Sequence, residues 1–337
     1  MAPSDSRAAA DSPTDSGTDS LDLRWTLVDE GSGADLALAP DGAIYASFVR
    51  SGRAWVRVSE DGGASWSEAA AVNGSVSPEV FGVSHPELDV DAHRVLVSMA
   101  SGHDQGLFVS ARDALAFEPV AWVGHAATDW HFEAIFFQGR LAPDGGIWSS
   151  FHAFPKGSWS DGWKGIARES TGFELEDVSA AAEGLPCECC AHDLFFTAEA
   201  DVALAWRGNV NDVRDMWVAS GHAGFDRVVT AGDLHPEIGY CPVQGPRLAQ
   251  APDGRLWMAW SDAVAGEYDP YVASSDDGGQ TWSSAEAVLG ELEGPRPSPT
   301  LAVDGSGRIL LSWTPEIGAS GLALYEDGSW THLGELE

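Results

Sequence analysis

Residues 248–260, LAQAPDGRLWMAW, decide the fold of this chain: an apolar pair, a short turn with Asp or Gly, and a second run that often ends in an aromatic residue. Asp and Gly supply the backbone geometry of a tight turn, so the stretch predicts two antiparallel strands. The pattern occurs five more times, in LALAPDGAIYASFV (36–49), LDVDAHRVLVSMA (88–100), GRLAPDGGIWSSF (139–151), LFFTAEADVALAWRG (194–208) and LAVDGSGRILLSW (301–313). The copies begin about 50–55 residues apart, a spacing typical of propeller blades or of a solenoid.

Each copy is followed by two further short β-like runs, for example WVRVSE (55–60) and WSEAAAVN (66–73). Four strands per copy and six copies predict an all-β fold, a six-bladed β-propeller of four-stranded antiparallel blades spanning residues 21–337. A solenoid is the alternative, but no capping segment is visible in the sequence. We expect either residues 23–28 or residues 330–333 to complete the last blade, which would remove an open sheet edge.

The segment ahead of the repeats has a different composition, because residues 2–20 contain no large hydrophobic side chain. Such a segment cannot bury enough surface to offset its ordering entropy, so residues 1–20 are predicted to be a disordered tether. A polar tether ahead of a folded domain is what remains after a signal or lipid-anchor segment is removed. This predicts a periplasmic or extracellular protein, tethered through the N-terminal linker, with a cytosolic protein and a natural tail as the alternative.

The charge of the chain excludes some partners. Its 337 residues include 52 acidic and 18 basic ones, a net charge of −34, which would repel the phosphates of a nucleic acid. No run approaches the roughly 18 apolar residues of a membrane helix, so the chain is not expected to be transmembrane. An acidic surface with only two lysines, Lys156 and Lys164, also predicts halotolerance, because salt screens the self-repulsion. An acidic exported protein from an ordinary habitat is the alternative.

A second motif supports the propeller. The stretch SEDGGASW (59–66) recurs as SDDGGQTW (275–282), an S-x-D-G-G-x-[ST]-W pattern. This pattern resembles the Asp box, or BNR repeat, of the sialidase-like β-propellers. Its Asp can accept backbone N–H groups, its glycines can adopt positive φ and its Trp can pack beneath the turn. We therefore expect the motif to be structural rather than catalytic.

The resemblance also implies an activity, because sialidases hold a carboxylate with three arginines and use a Tyr nucleophile with Glu, and an Asp as acid/base. Here Arg24 is followed by Trp and the Arg-Ile-Pro signature is absent. Candidates remain for a partial set: Tyr240, Arg247 and Arg296, with Asp129 and Glu133 or Glu237 and Asp262 as carboxylate pairs. Surplus acids make such pairs easy to find by chance, so a sialidase-type glycoside hydrolase is the alternative function.

All four cysteines lie in two short segments, PCECCAHD (186–193) and GYCPV (239–243). When the blades are aligned on Leu194 and Leu248, the first cysteine of the cluster and the lone fourth one occupy the same place. Adjacent blades would then present the two segments side by side, where the innermost strands enter at the axis. The predicted metal ligands are Cys187, Cys189, Cys190 and Cys241, with His192 or His85 as nitrogen donor.

Three interpretations of this cluster stay open. Thiolates with a histidine favour a copper or zinc ion, tetrahedral for zinc, and an open copper position would allow catalysis. Two disulfides are the second interpretation, with three connectivities, and a bond to Cys241 would staple blades four and five. Buried thiols are the third. Clustering favours the metal, since two disulfides rarely need all four cysteines at one point.

Around the cysteines the chain also resembles a subset of bacterial Asp-box proteins. Their C-x-C-C segment is followed by NVNDVRD (209–215 here) and by G-x-C-P-V-x-G-P, here GYCPVQGP (239–246). Arg214 and Asp215 could form an axial ion pair, but a brace for the blade hairpin is expected. The sequence thus predicts an exported Asp-box propeller with a thiolate-rich metal site at its axis. Such a site would allow a metalloenzyme that acts on a small-molecule substrate. The alternatives are the glycoside hydrolase and a disulfide-stapled binding scaffold.

Overall fold

The computed structural model describes residues 28–72, 78, 85–101, 104–124, 132–158, 161–222, 224–240, 242, 244–264, 269–288, 299–313 and 320–336. These residues form six antiparallel sheets arranged as the blades of a β-propeller, which confirms the predicted all-β, six-bladed fold. The predicted tether, residues 1–20, lies outside the described residues. Among the described residues no helix is long and apolar enough to span a membrane.

Blades one to three follow one another along the chain, each with four strands. Their strands are β1 (Ser32–Leu38), β2 (Ile44–Arg50), β3 (Arg53–Ser59), β4 (Ala70–Ala71), β5 (Glu87–Val90), β6 (Arg94–Ser101), β7 (Asp104–Ala111), β8 (Glu118–Gly124), β9 (Phe132–Leu141), β10 (Ile147–Pro155), β11 (Trp163–Arg168) and β12 (Leu175–Asp177). Two short 3₁₀ helices, Glu169–Thr171 and Ser179–Ala181, flank β12.

Blades four to six repeat this arrangement, and blade four carries one additional short strand, β13. Their strands are β13 (Leu185–Pro186), β14 (His192–Phe196), β15 (Asp201–Asn209), β16 (Met216–His222), β17 (Arg227–Ala231), β18 (Arg247–Gln250), β19 (Leu256–Asp262), β20 (Asp269–Ser275), β21 (Glu286–Ala287), β22 (Thr300–Val303), β23 (Ile309–Trp313), β24 (Ser320–Glu326) and β25 (Ser329–Leu336). Both β13 and β14 pair with β15. The last strand, β25, pairs with β24, so the C-terminal segment predicted at residues 330–333 completes blade six.

The Asp–Gly turns join the innermost strand of a blade to the second strand. In blade five the N–H of Ala251 donates to the carbonyl of Arg255 at 2.8 Å, and the N–H of Gly254 donates back to Ala251 at 2.9 Å. Gly254 has φ of +91°, a left-handed conformation that glycine adopts without a Cβ penalty. Local turn chemistry therefore determines each hairpin.

The two S-x-D-G-G-x-[ST]-W stretches fold as the same turn. Asp61 accepts hydrogen bonds from the hydroxyl of Ser59 at 2.8 Å and from the N–H of Ser65 at 2.8 Å. The hydroxyl of Ser59 accepts in turn from the N–H of Gly63 at 2.8 Å. The second copy repeats this network with Ser275, Asp277, Gly279 and Thr281. In the second copy the indole N–H of Trp282 also donates to the carbonyl of Gly279 at 3.1 Å, so the motif serves the turn, as the structural interpretation predicts.

The apolar core lies between blades. Five clusters of buried side chains are each shared by two consecutive blades, from one and two through to five and six. Trp206, between blades three and four, and Trp260, between blades four and five, are fully buried. Burial of such a side chain stabilises the fold by on the order of 3 kcal/mol. Blade-to-blade packing therefore supplies the stability that short strands lack.

Polar clasps join the innermost strands around the axis. In each clasp a side chain on one blade accepts a hydrogen bond from the backbone N–H of a residue on the innermost strand of the next blade. The four pairs, acceptor first, are Asp35 with Leu88 at 2.8 Å, Asp89 with Leu141 at 2.6 Å, Gln138 with Leu194 at 2.5 Å and Asp193 with Leu248 at 2.7 Å. These inter-blade clasps satisfy N–H groups at strand edges that would otherwise face the axis unpaired.

Candidate metal centre

The cysteine turn, residues 187–190, connects β13 to the innermost strand of blade four. Its start is tied down because the N–H of Cys187 donates to the carbonyl of Arg207 at 2.8 Å. The sulfur atoms of Cys187, Cys189 and Cys190 lie within 4.8 Å of one another, and Cys187 and Cys190 lie within disulfide-bonding distance. Two of the three side chains are buried and that of Cys189 is half-buried. Three predicted ligands therefore meet on one turn.

A buried guanidinium contacts this sulfur group. Arg214 donates from Nη1 to Sγ of Cys187 at 3.2 Å and from Nε to the carbonyl of Ile238 at 2.8 Å. Asp215, by contrast, accepts from the ring of His235 at 3.0 Å on the exposed surface. Arg214 is thus the expected brace rather than half of an axial ion pair. It connects the cysteine turn to the segment that carries the fourth cysteine.

That segment is held against the cysteine turn at several points. The carbonyl of Gln244 accepts from Nε of Arg207 at 3.1 Å, and a Cβ added at Gly245 would overlap the carbonyl oxygen of Ala191. Glycine permits this close approach of two backbones. The predicted juxtaposition of the two segments is therefore present. Cys241 itself lies outside the described residues, so its role as a ligand stays a prediction.

Nitrogen groups are buried on the other side of the turn, between blades three and four. Nε2 of His192 lies 3.0 Å from the hydroxyl of Ser150, and Lys164 donates to the carbonyl of Cys190 at 2.9 Å. Nδ1 of His192 and both ring nitrogens of His152 are buried without a hydrogen-bond partner. His192 therefore directs one nitrogen toward blade three, and its role as a ligand stays a prediction.

Burial governs the charges of these groups. It lowers the pKa of Lys164 from 10.5 to about 7, although the carboxylate of Glu188 acts in the opposite direction. Burial, followed by the charge of Lys164, lowers the pKa of His152 and of His192 well below 6.5. Both imidazoles are consequently neutral near pH 7, the protonation state in which histidine can bind a metal.

The other predicted nitrogen donor, His85, lies elsewhere. It lines an axial cavity of about 810 Å³ that is bounded by the innermost strands and also includes Asp193 and Arg247. The three cysteines do not belong to the described residues that line this cavity. The cysteine turn thus does not line this cavity, and His85 does not belong to the sulfur group.

Among the described residues, those considered for a glycosidase lie in different environments. Asp262 is buried in an ion pair with Arg207 at 3.2 Å and accepts from Trp260, so it holds blades four and five together. Glu237 is exposed and Glu133 half-buried on β9. Tyr240 is exposed and Arg247 lines the cavity, whereas Asp129 and Arg296 lie outside the described residues.

Sequence reasoning missed two cations around the cysteine turn, Lys164 and Arg207. Both are fully buried, which is unusual for such side chains. The sequence contains only a weak indication that Lys164 is buried. It is one of two lysines in the chain and precedes the run GIA at 165–167. The contacts themselves join different blades, so no local pattern indicates them.

No family model matches the chain, and no curated protein is similar to it. Solved structures do resemble it. AofleA from Arthrobotrys oligospora is 9% identical with a TM-score of 0.55, over 89% of this chain and 84% of that one. An oligogalacturonate lyase from Vibrio parahaemolyticus is 11% identical with a TM-score of 0.51, over 88% and 76%. The WD40 domain of Toxoplasma gondii coronin is 11% identical with a TM-score of 0.52, over 90% and 70%.

At such identities the similarity concerns the fold alone. Fold and site together define the class as a six-bladed β-propeller that carries a cysteine cluster in blade four. The kinship with the Asp-box family stays a resemblance carried by the two quoted turns, because no family model matches.

Proposed function

We propose that this protein is an exported β-propeller that binds a copper or zinc ion through thiolates of the cysteine turn. The contact between Arg214 and Cys187 carries the proposal. The guanidinium is buried, and its carboxylate neighbour Asp212 is exposed and 3.9 Å away. A buried cation requires a negative partner, and a thiolate at 3.2 Å supplies one where a disulfide sulfur does not.

The spacing of the sulfur atoms supports the same proposal. Zinc–thiolate bonds of about 2.3 Å in a tetrahedron separate two sulfurs by about 3.8 Å. The three sulfurs of the cysteine turn lie within 4.8 Å of one another, and reduction of the Cys187–Cys190 pair, which lies at disulfide distance, would let them take up this separation around one ion. Three thiolates alone suit Cu(I), and a fourth from Cys241 suits zinc.

The charges around the turn favour a negatively charged centre. This chain has 18 basic residues against 52 acidic ones, yet Arg214 directs a buried guanidinium at the cysteine turn, and Lys164 directs a buried amino group whose pKa is lowered to about 7. A thiolate-rich copper or zinc centre is itself negative, because each thiolate contributes one charge. The guanidinium of Arg214, and Lys164 in its protonated form, would stabilise such a centre, as groups around a metal site commonly do.

A disulfide between Cys187 and Cys190 is the second candidate, favoured by the distance of the pair. It would close a very short loop within one turn of blade four. Short loops constrain the unfolded chain least, so this bond would stabilise the protein less than a bond between blades. Stabilisation by a disulfide therefore explains the pairing of Cys187 and Cys190 poorly. A dithiol that binds a metal ion when it is reduced explains it better.

Metal and thiol content distinguish the two candidates. Protein purified without chelator under anaerobic conditions is analysed for copper and zinc, and its thiols are titrated after denaturation. We expect about one ion per chain and reactive thiols, with metal lost on Cys187→Ser. His222→Ala, which removes an exposed histidine on β16, serves as the control and retains the ion. Absence of both metal and thiols would overturn the proposal in favour of disulfides.

Export to the periplasm or the cell exterior belongs to the same proposal. The acidic composition and the polar segment ahead of the blades support it. Fractionation of cells that express the natural gene tests the location, and recovery of the protein in the cytosol would contradict it.

A further inference from the structure

The axial cavity is bordered by one side chain from the innermost strand of each blade. These side chains occupy the same place in all six hairpins, four residues before the residue whose N–H closes the turn. All of them line the cavity of about 810 Å³: Asp35, Glu87, Gln138, Asp193, Arg247 and Thr300. We call these six residues the axial ring. The axial ring therefore supplies much of the polar chemistry of the cavity.

The acidic members of the axial ring already have partners. Asp35 accepts a hydrogen bond from the N–H of Leu88 at 2.8 Å. Asp193 and Glu87 both contact the guanidinium of Arg140, at 3.2 Å and 3.4 Å. Donated hydrogen bonds and a shared cation thus compensate the charges of these carboxylates. They have little capacity left for a ligand.

Arg247 is the exception in the axial ring. Three inter-blade clasps have their acceptor at this position, in Asp35, Gln138 and Asp193, whereas a guanidinium cannot accept a hydrogen bond. The half-buried side chain of Arg247 makes one long contact, from Nη1 to the carbonyl of His192 at 3.5 Å. Among the described residues no carboxylate forms an ion pair with it. Its remaining N–H groups are therefore available to a ligand in the cavity.

An apolar wall follows Arg247 in the order of the blades. Blades six and one come after blade five, and they line the same cavity with Leu36, Leu38, Ala302 and Leu310. None of the described lining residues from blade six is charged. Leu36 and Leu38 are 62% and 64% exposed, whereas Leu88, at the position of Leu36 in blade two, is 4% exposed. Large apolar side chains that face a cavity are typical of a ligand site.

We propose that the axial cavity binds an amphiphilic carboxylate, with the carboxylate on Arg247 and the apolar body against Leu36, Leu38 and Leu310. A guanidinium presents parallel N–H groups that match the two oxygens of a carboxylate. Small-molecule sites are commonly of this size, mostly apolar with a few polar groups that fix orientation. The inference is independent of the metal, because the three described cysteines do not line this cavity.

Two other classes of ligand fit the cavity less well. A cation would meet Arg247, while the carboxylates of the axial ring are already paired. A sugar carries hydroxyl groups over most of its surface, and burial against Leu36 and Leu38 would leave some of them unpaired. The net charge of −34 repels an anion at long range, but at about 0.15 M salt this repulsion decays over about 8 Å. The contact with Arg247 is direct and persists.

Calorimetric titration of the full chain with decanoate, below the concentration at which it forms micelles, tests the proposal. We expect about one molecule per chain. Arg247→Met should weaken the affinity about ten- to hundredfold, because hydrogen bonds from a charged donor are lost. Arg227→Met, at an exposed arginine on β17, is the matched control and should bind decanoate as tightly as the parent. Equal affinities of the parent and R247M, or no binding at millimolar decanoate, would overturn the proposal.

Two further ligands separate the head from the body. Decanol has the apolar body without the charge, and acetate has the charge without the body. Both should bind at least about tenfold more weakly than decanoate. Decanol that binds as tightly as decanoate would show that Arg247 is not used, and acetate that does so would show that the apolar wall is not used. Either result contradicts the proposed ligand class.

The apolar wall has its own test, which also serves if R247M misfolds. Leu38→Asn should weaken the binding of decanoate, whereas Val120→Asn, at an exposed apolar residue on β8, should not. In NMR spectra of the parent chain, decanoate should shift the methyl signals of Leu36 and Leu38 and leave those of the fully buried Leu204 in place. Unchanged signals of Leu36 and Leu38 at saturating decanoate would place the ligand elsewhere and refute the proposal.

Discussion

Replacement of Arg214 by Met should weaken metal binding while leaving the propeller folded. The guanidinium donates to Sγ of Cys187 at 3.2 Å in a buried environment. A hydrogen bond to a charged partner contributes a net of about 1.5–3 kcal/mol, and each 1.4 kcal/mol corresponds to a factor of ten. We therefore expect the affinity for Cu(I) or Zn²⁺ to fall about ten- to hundredfold, the range found for groups that support metal ligands.

The assay is an anaerobic competition between reduced, metal-free protein and a chromophoric chelator at pH 7. Urea unfolding of the metal-free form runs in parallel, because Arg214 also donates to Ile238 and its loss will lower stability. Arg255→Met, which breaks an exposed ion pair with Asp276, is the matched control. If R214M is folded and binds the ion as tightly as the parent, the sulfur beside Arg214 carries no charge and the thiolate interpretation fails.

Three further predictions concern stability, each checked by the urea midpoint. Gly245→Ala should destabilise the protein by about 1–3 kcal/mol, because its Cβ meets a backbone carbonyl, whereas Gly224→Ala, in open space, should not. Hydrogen bonds, chiefly from Ser65, lower the pKa of Asp61 from 3.8 to about 2. Stability present above about pH 4 should therefore be lost as the pH falls toward 2, and Ser65→Ala should make that loss smaller. Because burial lowers the pKa of Lys164 from 10.5 to about 7, the unfolded chain binds more protons between these values. Stability should rise from about pH 7 to about pH 10.5, and Lys164→Met should flatten the rise.

The fold was predictable because its signals are local. Each hairpin depends on a tight turn within a few residues, with Asp and Gly as at residues 251–254 in four blades and without Gly at 91–94 and 197–201, and six copies of a local unit define the ring. The order of the blades follows from the order of the chain. The closure was not predictable, because the competing segments at the two termini are both short β-like runs. Pairing of β25 with β24 decides the outer strand of blade six.

The candidate site was predictable only in part. Cys187, Cys189 and Cys190 come together because they share one turn, which spacing alone indicates. The contacts of Lys164 and Arg207 with the two cysteine segments join different blades. Such contacts depend on how neighbouring sheets pack. In a chain with so many acidic residues, the sequence alone offers each basic side chain many equivalent carboxylate partners. The direction of the His192 ring toward Ser150 likewise depends on how blades three and four pack.

The inter-blade clasps have a direction, and this has a consequence for synthesis of the chain on the ribosome. In all four clasps the acceptor belongs to the earlier blade and the N–H donor to the later one, as in Asp35 with Leu88 and Asp193 with Leu248. The leading edge of a half-made propeller is therefore a carboxylate or amide that water solvates well, not a row of bare N–H groups. Blades two to five each find an acceptor already in place on the preceding blade, which reduces the unpaired edge that a growing chain presents.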